Sequence, residues 1–349
     1  MADANNRAPA APQVSIIVPA RNEEAGLAVC LASLCAQQGV SCEIIVVDDH
    51  SSDATAAIAR SFPGVRVVTA DPLPVGWCGK SNACATGARQ AAGRWLLFTD
   101  ADTEHRPGSL ARALAEADQH RAALLSYSPE QRVETFWERA VMPNIFAELA
   151  CQYRPADVCD PALQVAAANG QYLLIARAQY DCVGGHAAVA GAVLEDVELA
   201  RRVKRDGGRI RFRYGGDAVR TRMYRSFGQM REGWTKNLAL LFPHSGSLAA
   251  RRALEFALIA GSAAGSMVAA SKRETGVALA AAAVAATAFG FYLARIRRAH
   301  FDAKSDAAAL FGLPLFSYLL ARSAIQHTLR RPIVWKGRSY RGLSNWEIG

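Results

Sequence analysis

Acidic residues in this sequence gather just after short apolar runs: Asp48 and Asp49 follow residues 43–47 (EIIVV), and Asp100 and Asp102 follow 95–99 (WLLFT). Two hard oxygen donors beside a diphosphate suit Mg2+ or Mn2+, which keeps some water and takes phosphate oxygens as its remaining ligands. In an extended segment Asp100 and Asp102 would point to opposite faces, so a turn has to bring them to a common ligand. A solvated strand-to-helix junction, with Asp102 or Thr103 capping a helix after Pro107, would use the same residues without any metal.

The segments that must hold these residues alternate in type. Residues 14–19 (VSIIVP), 43–47, 65–69 and 95–99 are apolar runs of strand length, and 27–34, 54–61 and 81–92 carry helical patterns between them. Strands alternating with helices imply a parallel sheet, whose ligands sit beyond the carboxyl ends of the strands. The polar loops 21–24, 48–53 and 100–102 all fall at such ends. Further on, 171–176 reads as a strand, Gly184-Gly185 as a turn, and 194–204 as a helix opened by Glu195 and Asp196. His186, just after the glycine pair, is a candidate for the acceptor side because loops at sheet ends carry function, although a histidine in a surface turn needs no such role.

The last third changes character. Residues 253–271 and 275–294 are each long enough to cross a bilayer and are separated by Lys272-Arg273-Glu274, whereas 307–321 is short for a span and contains Pro314. An Ala-rich buried bundle would have the same composition, and Glu255 lies inside the first run. The net charge of +9 crowds into residues 201–236 and 295–341, flanking the apolar runs. That distribution fits contact with acidic lipids, and with no aromatic-rich RNA-reading motif beside it the expectation is no nucleic-acid partner. The positive-inside tendency favours a re-entrant or interfacial third segment, which keeps the basic 322–349 tail cytoplasmic. The chain is thus expected to be multi-pass in the cell inner membrane with its catalytic domain in the cytoplasm, behind a flexible 1–13 tail that lacks the layout of a secretory signal. Eight cysteines without CxxC pairing read as reduced thiols, with no zinc site.

Four blocks, V-P-A-R-N-E-E at 18–24, V-D-D-H-S-S-D-A-T at 47–55, T-D-A-D at 99–102 and L-E-D at 194–196, stand in the order and spacing of the family 2 glycosyltransferases, which the chain resembles. V-G-W-C-G-K-S-N-A at 75–83 and W-K-G-R-S-Y at 335–340 resemble signatures of the membrane members that glycosylate hopanoids, carotenoid acids and ceramide. The resemblance implies a GT-A fold over residues 14–243, an α/β domain with a mixed, mainly parallel sheet flanked by helices, followed by membrane helices. It also implies a nucleotide-sugar donor, a UDP-sugar, and a lipid acceptor. Carried over residue by residue, Pro19, Arg21 and Glu23 line the nucleotide pocket, and Asp49, with Asp48 beside it, binds the base or ribose. Lys80 faces the donor diphosphate or is simply a Gly-flanked surface lysine; Asp100 lies near the ribose and metal, and Asp102 is the direct metal ligand.

Asp196 resembles the catalytic base of inverting members, flanked by Glu195, and the competing reading is that both acids only favour a helix N-terminus. Ceramide-type and processive enzymes carry Q/R-x-x-R-W where this chain has Gln229-Met230-Arg231-Glu232-Gly233-Trp234. Arg231 is assigned to the diphosphate and Trp234 to the acceptor, or the helix near 224–241 lies on the bilayer as an interfacial helix. The expected activity is inverting transfer of one sugar to a hopanoid- or carotenoid-like lipid. A polysaccharide synthase and a catalytically silent nucleotide-binding scaffold are the alternatives.

Overall fold

The computed structural model describes residues 11–329 and the strands Ile333–Trp335 and Arg338–Tyr340. Most of the expected 1–13 tail and half of the basic 322–349 tail therefore lie outside the described residues. The chain divides into two units: one is the chain up to Glu130 together with Pro155–Thr221, the other Gln131–Arg154 together with the chain from Arg222 to Gly342.

In the first unit the strands are β1 (Val14–Ala20), β2 (Cys42–Asp48), β3 (Val65–Thr69), β4 (Trp95–Phe98), β5 (Thr103–His105) and β6 (Leu124–Ser128). The two-residue β7 (Glu130–Gln131) stands at the boundary, followed by β8 (Leu173–Ala176), β9 (Ile210–Tyr214) and β10 (Val219–Thr221). Between them run α1 (Leu27–Cys35), α2 (Thr55–Arg60), α3 (Gly79–Gln90) and α4 (Ser109–Gln119). After α5 (Phe136–Gln152), which belongs to the second unit, come α6 (Pro155–Cys159), α7 (Arg177–Cys182) and α8 (Glu195–Arg205).

The main sheet has the order β3-β2-β1-β4-β8-β6-β9. Only β8 runs antiparallel to its neighbours, so the sheet is mixed and mainly parallel. The reason β1 is apolar at nearly every position is that both of its faces are covered. Val14, Ile16 and Val18 pack with Leu27, Leu31 and Leu34 of α1 and Leu110 of α4, while Ile17 meets α3 at Gly87 on the other face. Each such side chain taken from water contributes about 1.5–3 kcal/mol. From β1 the chain steps to β2 and β3 on one side, and β4 is laid down on the other. Strand order therefore reverses beside β1, and in open α/β sheets ligands bind beyond the carboxyl ends of the strands at such a reversal.

The second unit is helical. A capping box between Thr135 and Glu138 starts α5, and Ser226 caps α9 (Phe227–Leu241). Three long helices follow: α10 (Ser245–Ser271), α11 (Thr275–Ile296) and α12 (Ala303–Thr328). All three are long and apolar enough to cross a membrane. Their outer faces carry large apolar side chains, such as Leu279 at 67% and Phe291 at 75% exposure, a pattern expected of a surface that meets lipid rather than water. The third helix is longer at both ends than the 307–321 expected from the sequence. Its first turn is polar and capped by the Asp302 carboxylate, which accepts the Ser305 N–H at 2.7 Å, and Pro314 is carried inside it, so neither feature ends the helix.

Close contacts lock this unit at three points. Asn144 of α5 donates to the carbonyls of Ala140 and, at 2.7 Å, of Ala309 in α12. Gly312 of α12 lies directly on the α5 backbone at Ala140, where a side chain has no room. Glu255, the acidic residue inside α10, is not isolated: Arg252 and Arg295 bind it at 2.8 and 2.7 Å, and the same two arginines reach Glu148 at 3.0 and 3.2 Å. The hairpin formed by the last two described strands, β11 (Ile333–Trp335) and β12 (Arg338–Tyr340), pairs antiparallel with Trp335 opposite Arg338.

Candidate active site

Two groups of polar residues stand at the carboxyl ends of the first unit's strands. The first is built by β1 and β2, whose parallel register puts Ala20 beside Asp48 and makes their following loops neighbours. The Asp49 N–H donates to Ala20 O at 2.8 Å, and the Arg21 guanidinium donates to Asp49 O at 2.6 Å. The Glu23 N–H donates to Thr55 Oγ1 at 2.8 Å, and Asp48 Oδ1 accepts the Ser51 N–H. Asn22 and His50 take positive φ (52° and 55°), conformations an Asn or His pays less for than a branched residue. Pro19, at the end of β1 opposite Val47, lets the chain leave the strand without offering an N–H. Pro19, Arg21, Glu23, Asp48 and Asp49 are thus brought to two interlocked loops.

The second group joins residues distant in sequence. Lys80, in the first turn of α3, places Nζ 2.8 Å from Asp100 Oδ1 and 3.0 Å from Glu195 Oε1. Helix α3 starts two residues earlier than the expected 81–92, which is what puts Lys80 on a fixed turn rather than in a loop. Asp196 is the second residue of α8, where Oδ2 accepts the Gly170 N–H at 2.7 Å and Oδ1 accepts its neighbour Val197 N–H at 2.8 Å. Gly170 is packed onto the group so closely that a Cβ there would lie 2.8 Å from Lys80 Nζ and 3.5 Å from both the Asp196 and Glu195 carboxylates. Sequence reasoning missed Gly170; the Asn169-Gly170 pair signals a turn, but nothing in it says what the turn touches.

Three carboxylates, those of Asp100, Glu195 and Asp196, share one ammonium. Burial works to lower the Lys80 pKa, but the charges of Asp100, Glu195 and Asp196 outweigh it and hold the lysine well above its ordinary value. Burial and the neighbouring Glu195 push Asp196 up to about 6, against the opposing pull of Lys80 and the Gly170 and Val197 N–H groups. A carboxylate with a pKa near 6 is a better general base at neutral pH than an ordinary aspartate.

The turn between β4 and β5 carries Asp100 and Asp102 and is held from below by buried polar groups. Thr103 Oγ1 donates to Asp100 O at 2.7 Å, and Thr221 Oγ1 donates to Asp102 O at 3.2 Å. Gly26, just ahead of α1, lets the turn come close, since a Cβ there would lie 3.2 Å from Asp102 Cα. Burial drives the His105 imidazole beneath the turn down to about 3, so it is neutral. Among the described residues no group of three or more His, Cys, Asp or Glu side chains is arranged to hold a metal. A divalent cation at this turn would have the two aspartates from the protein and would need oxygens from elsewhere, which fits a hard ion that binds together with a diphosphate.

His186 is buried rather than set in a surface turn. It is 2% exposed, its ring sits edge-on to Phe98 with centroids 4.5 Å apart, and its Nδ1 lies 3.0 Å from Tyr180 OH. The short 3-10 turn Gly185–Val189 folds the imidazole into the core, and burial lowers it to about 3. Arg231 and Trp234 lie in the second unit and are not among the residues the first unit brings together. Trp234 is 3% exposed and its Nε1–H points at Met142 Sδ, between Phe146 and Tyr224. Its ring is therefore a packing element of the helical unit.

Residues 15–172, which include both polar loops of β1 and β2 and the Asp100 turn, match the family model described as Glycosyl transferase family 2. This stretch of the chain is similar to the family 2 glycosyl transferases. Curated relatives include the 4,4'-diaponeurosporenoate glycosyltransferase of Staphylococcus haemolyticus, 34% identical over 233 residues. A Staphylococcus aureus protein of the same name is 30% identical over 238 residues, and each alignment takes in 65% of this chain. The chain covers 61% and 60% of the length of these two relatives. Among solved structures, the mannosyltransferase of Pyrobaculum calidifontis in complex with GDP-Man and Mn2+ superposes with a TM-score of 0.54 at 17% identity, covering 93% of this chain and 89% of that one. That likeness is one of fold, and it assigns the first unit to the GT-A class.

Proposed function

We propose that the protein is an inverting, divalent-metal-dependent glycosyltransferase that moves a sugar from a nucleoside-diphosphate sugar, a UDP-sugar, to a lipid-like acceptor. The observation that carries this reading is the Lys80-Asp100-Glu195 cluster with Asp196 beside it on a helix N-terminus, at the switch point of the sheet. The diaponeurosporenoate named in the relatives supports a carotenoid-like acceptor, and the three apolar helices support attachment to a membrane, for which the cell inner membrane with a cytoplasmic catalytic face is the natural arrangement.

The interlocked loops at Pro19, Arg21, Glu23, Asp48 and Asp49 hold the nucleoside, with backbone carbonyls already tied down by Arg21. Asp102 and Asp100 would hold Mg2+ or Mn2+; a bound cation there neutralises charge on the departing diphosphate. Lys80 adds a fixed positive charge on the same side. Asp196 accepts the proton of the acceptor hydroxyl as that oxygen forms its bond to the anomeric carbon. The bond from that carbon to the diphosphate oxygen breaks, the nucleoside diphosphate leaves with the electron pair, and the configuration inverts. Glu195 keeps Lys80 in place and raises the basicity of Asp196. In the helical unit the Trp234 ring is packed against Met142, and Arg231 stands exposed on the same helix.

The test is turnover by the full-length protein in detergent, offered labelled UDP-sugars and GDP-mannose with liposomes containing a hydroxylated polyisoprenoid. Label is expected in an organic-soluble product with inverted anomeric configuration, lost with EDTA and restored by Mn2+. Full turnover in EDTA overturns the metal assignment. Label found only in a retained polymer overturns the lipid acceptor.

A further inference from the structure

Beneath the turn that carries Asp100 and Asp102, three side chains meet in a buried cluster that no step above uses. Thr99 Oγ1 and Thr103 Oγ1 lie 2.9 Å apart, and His105 Nε2 lies 3.0 Å from the first and 3.3 Å from the second. Each hydroxyl also touches a main-chain carbonyl: Thr99 Oγ1 donates to Gln171 O at 2.8 Å, and Thr103 Oγ1 donates to Asp100 O at 2.7 Å. All three side chains are at most 5% exposed.

A hydroxyl has one proton to give. If both protons go to the carbonyls, neither threonine has one left for the other or for the imidazole, and two oxygens and a ring nitrogen face each other at hydrogen-bond distance. The arrangement balances when His105 is neutral with its proton on Nε2, donating in a forked bond to both hydroxyl oxygens; the Cys30 thiol, 3.7 Å from Thr103 Oγ1 and from Asp100 O, is a weak donor on the far side and does not reach Thr99. With the proton on Nδ1 instead, one hydroxyl would have to turn to Nε2 and abandon a buried carbonyl, which costs about 1–3 kcal/mol. The backbone of His105 is itself fixed, since its N–H donates to Ser33 Oγ at 3.0 Å and its ring lies against Tyr172.

We infer that His105 is a positioning residue for the metal loop: its Nε2–H commits the Thr99 and Thr103 hydroxyls to Gln171 O and Asp100 O, and so sets the turn from which Asp100 and Asp102 reach a cation. Thr99 ties the end of β4 to the start of β8, and Thr103 ties β5 back to the Asp100 carbonyl. The imidazole Nε2–H faces both hydroxyl oxygens and so lets both ties exist at once. This rests on the metal reading of the Asp100–Asp102 turn given above.

Two measurements on the full chain in detergent test it. Nitrogen-15 NMR of labelled histidine, assigned by loss of the signal in the His105→Gln variant, is expected to show the Nε2–H tautomer across neutral pH; an Nδ1–H tautomer or an imidazolium overturns the inference. Mn2+ binding in the presence of UDP, followed by electron paramagnetic resonance, is expected to weaken about tenfold in His105→Phe, the order of one lost buried hydrogen bond, and to recover in His105→Gln, whose amide N–H occupies the Nε2 position. Circular dichroism melts identify any variant that fails to fold, and in that case the tautomer alone decides. Equal Mn2+ affinity in both variants and wild type, or equal weakening in both, overturns the positioning role. Absence of Mn2+ binding by the wild type sinks the metal reading instead, and leaves the tautomer to decide whether the cluster is built as described.

Discussion

Two charge clusters of this protein, one in each unit, are made from similar residues and balanced differently. In the helical unit Glu148 and Glu255 face Arg252 and Arg295, two charges against two, and every carboxylate has a guanidinium within 3.2 Å. In the first unit Asp100, Glu195 and Asp196 share the charge of Lys80. The first cluster is closed in number, two carboxylates against two guanidinium groups. In the second, three carboxylates share one ammonium, and burial together with the charge of Glu195 pushes Asp196 up to about 6, where a carboxyl can exchange a proton near neutral pH.

The sharpest way to break this comparison is at Asp196. Replacing it with Asn is expected to lower the chemical step by roughly 10²–10⁴ while leaving donor binding intact. In the wild type the acid limb of kcat/KM should fall near pH 6 rather than near 4, because the free enzyme must lose the Asp196 proton to act as base. Stability should run the other way. Folding raises this pKa, so the carboxyl's contribution is full below about pH 4 and is lost as pH rises through about 6. The Asp196→Asn variant should then melt above wild type at pH 8 and equal to it below about pH 4. A wild-type acid limb near pH 4 would place the base elsewhere.

At the closed cluster the expected effect is on folding alone. Arg295→Met leaves Glu148 and Glu255 with a single partner and should destabilise the protein by about 3–5 kcal/mol, read as a lower melting temperature in detergent. The paired change Arg295→Met with Glu255→Met should recover most of that loss, because an ion pair replaced by apolar side chains of similar volume leaves no buried charge. If the pair were as unstable as the single variant, the cluster would owe its presence to something other than charge balance. The smallest effect is steric. Gly312→Ala puts a methyl group into the Ala140 backbone, and the resulting separation of α12 from α5 should cost about 1–3 kcal/mol without changing kcat for the molecules that fold. Unchanged melting would mean that these helices are less closely packed than their backbones indicate.

Much of the catalytic domain could be read along the chain because its strands are short, apolar and covered on both faces, which leaves little ambiguity in their periodicity. The starts of α3 and α8 were harder to place to the residue, and Lys80 depends on that placement. The polar groups beneath the metal turn were not legible at all. Thr99, Thr103 and His105 look like ordinary strand-end residues, and Gln171, whose carbonyl completes their cluster, is 72 positions from Thr99. The burial of His186 was illegible for a related reason: a Gly-Gly turn marks freedom of the backbone, and the rings of Phe98 and Tyr180 that meet the imidazole are placed by the fold.

What the sequence by itself determined was the alternation of strands and helices, the acidic loops at strand ends and the three apolar runs, since each is a local pattern of residue types whose physical meaning depends only on neighbours in the chain. What only the tertiary structure decided was which charges meet. Lys80, Asp100, Gly170 and Glu195 are separated by tens of residues, and their convergence follows from β4 being laid beside β1 and α8 ending its loop against Gly170. The same holds for Trp234, read from its motif as part of the donor or acceptor site and found against Met142 in a helical core. A side chain's chemistry is written in its own letter, but its pKa, its partner and its exposure are properties of the space around it, and that space is assembled by contacts between residues far apart in the chain.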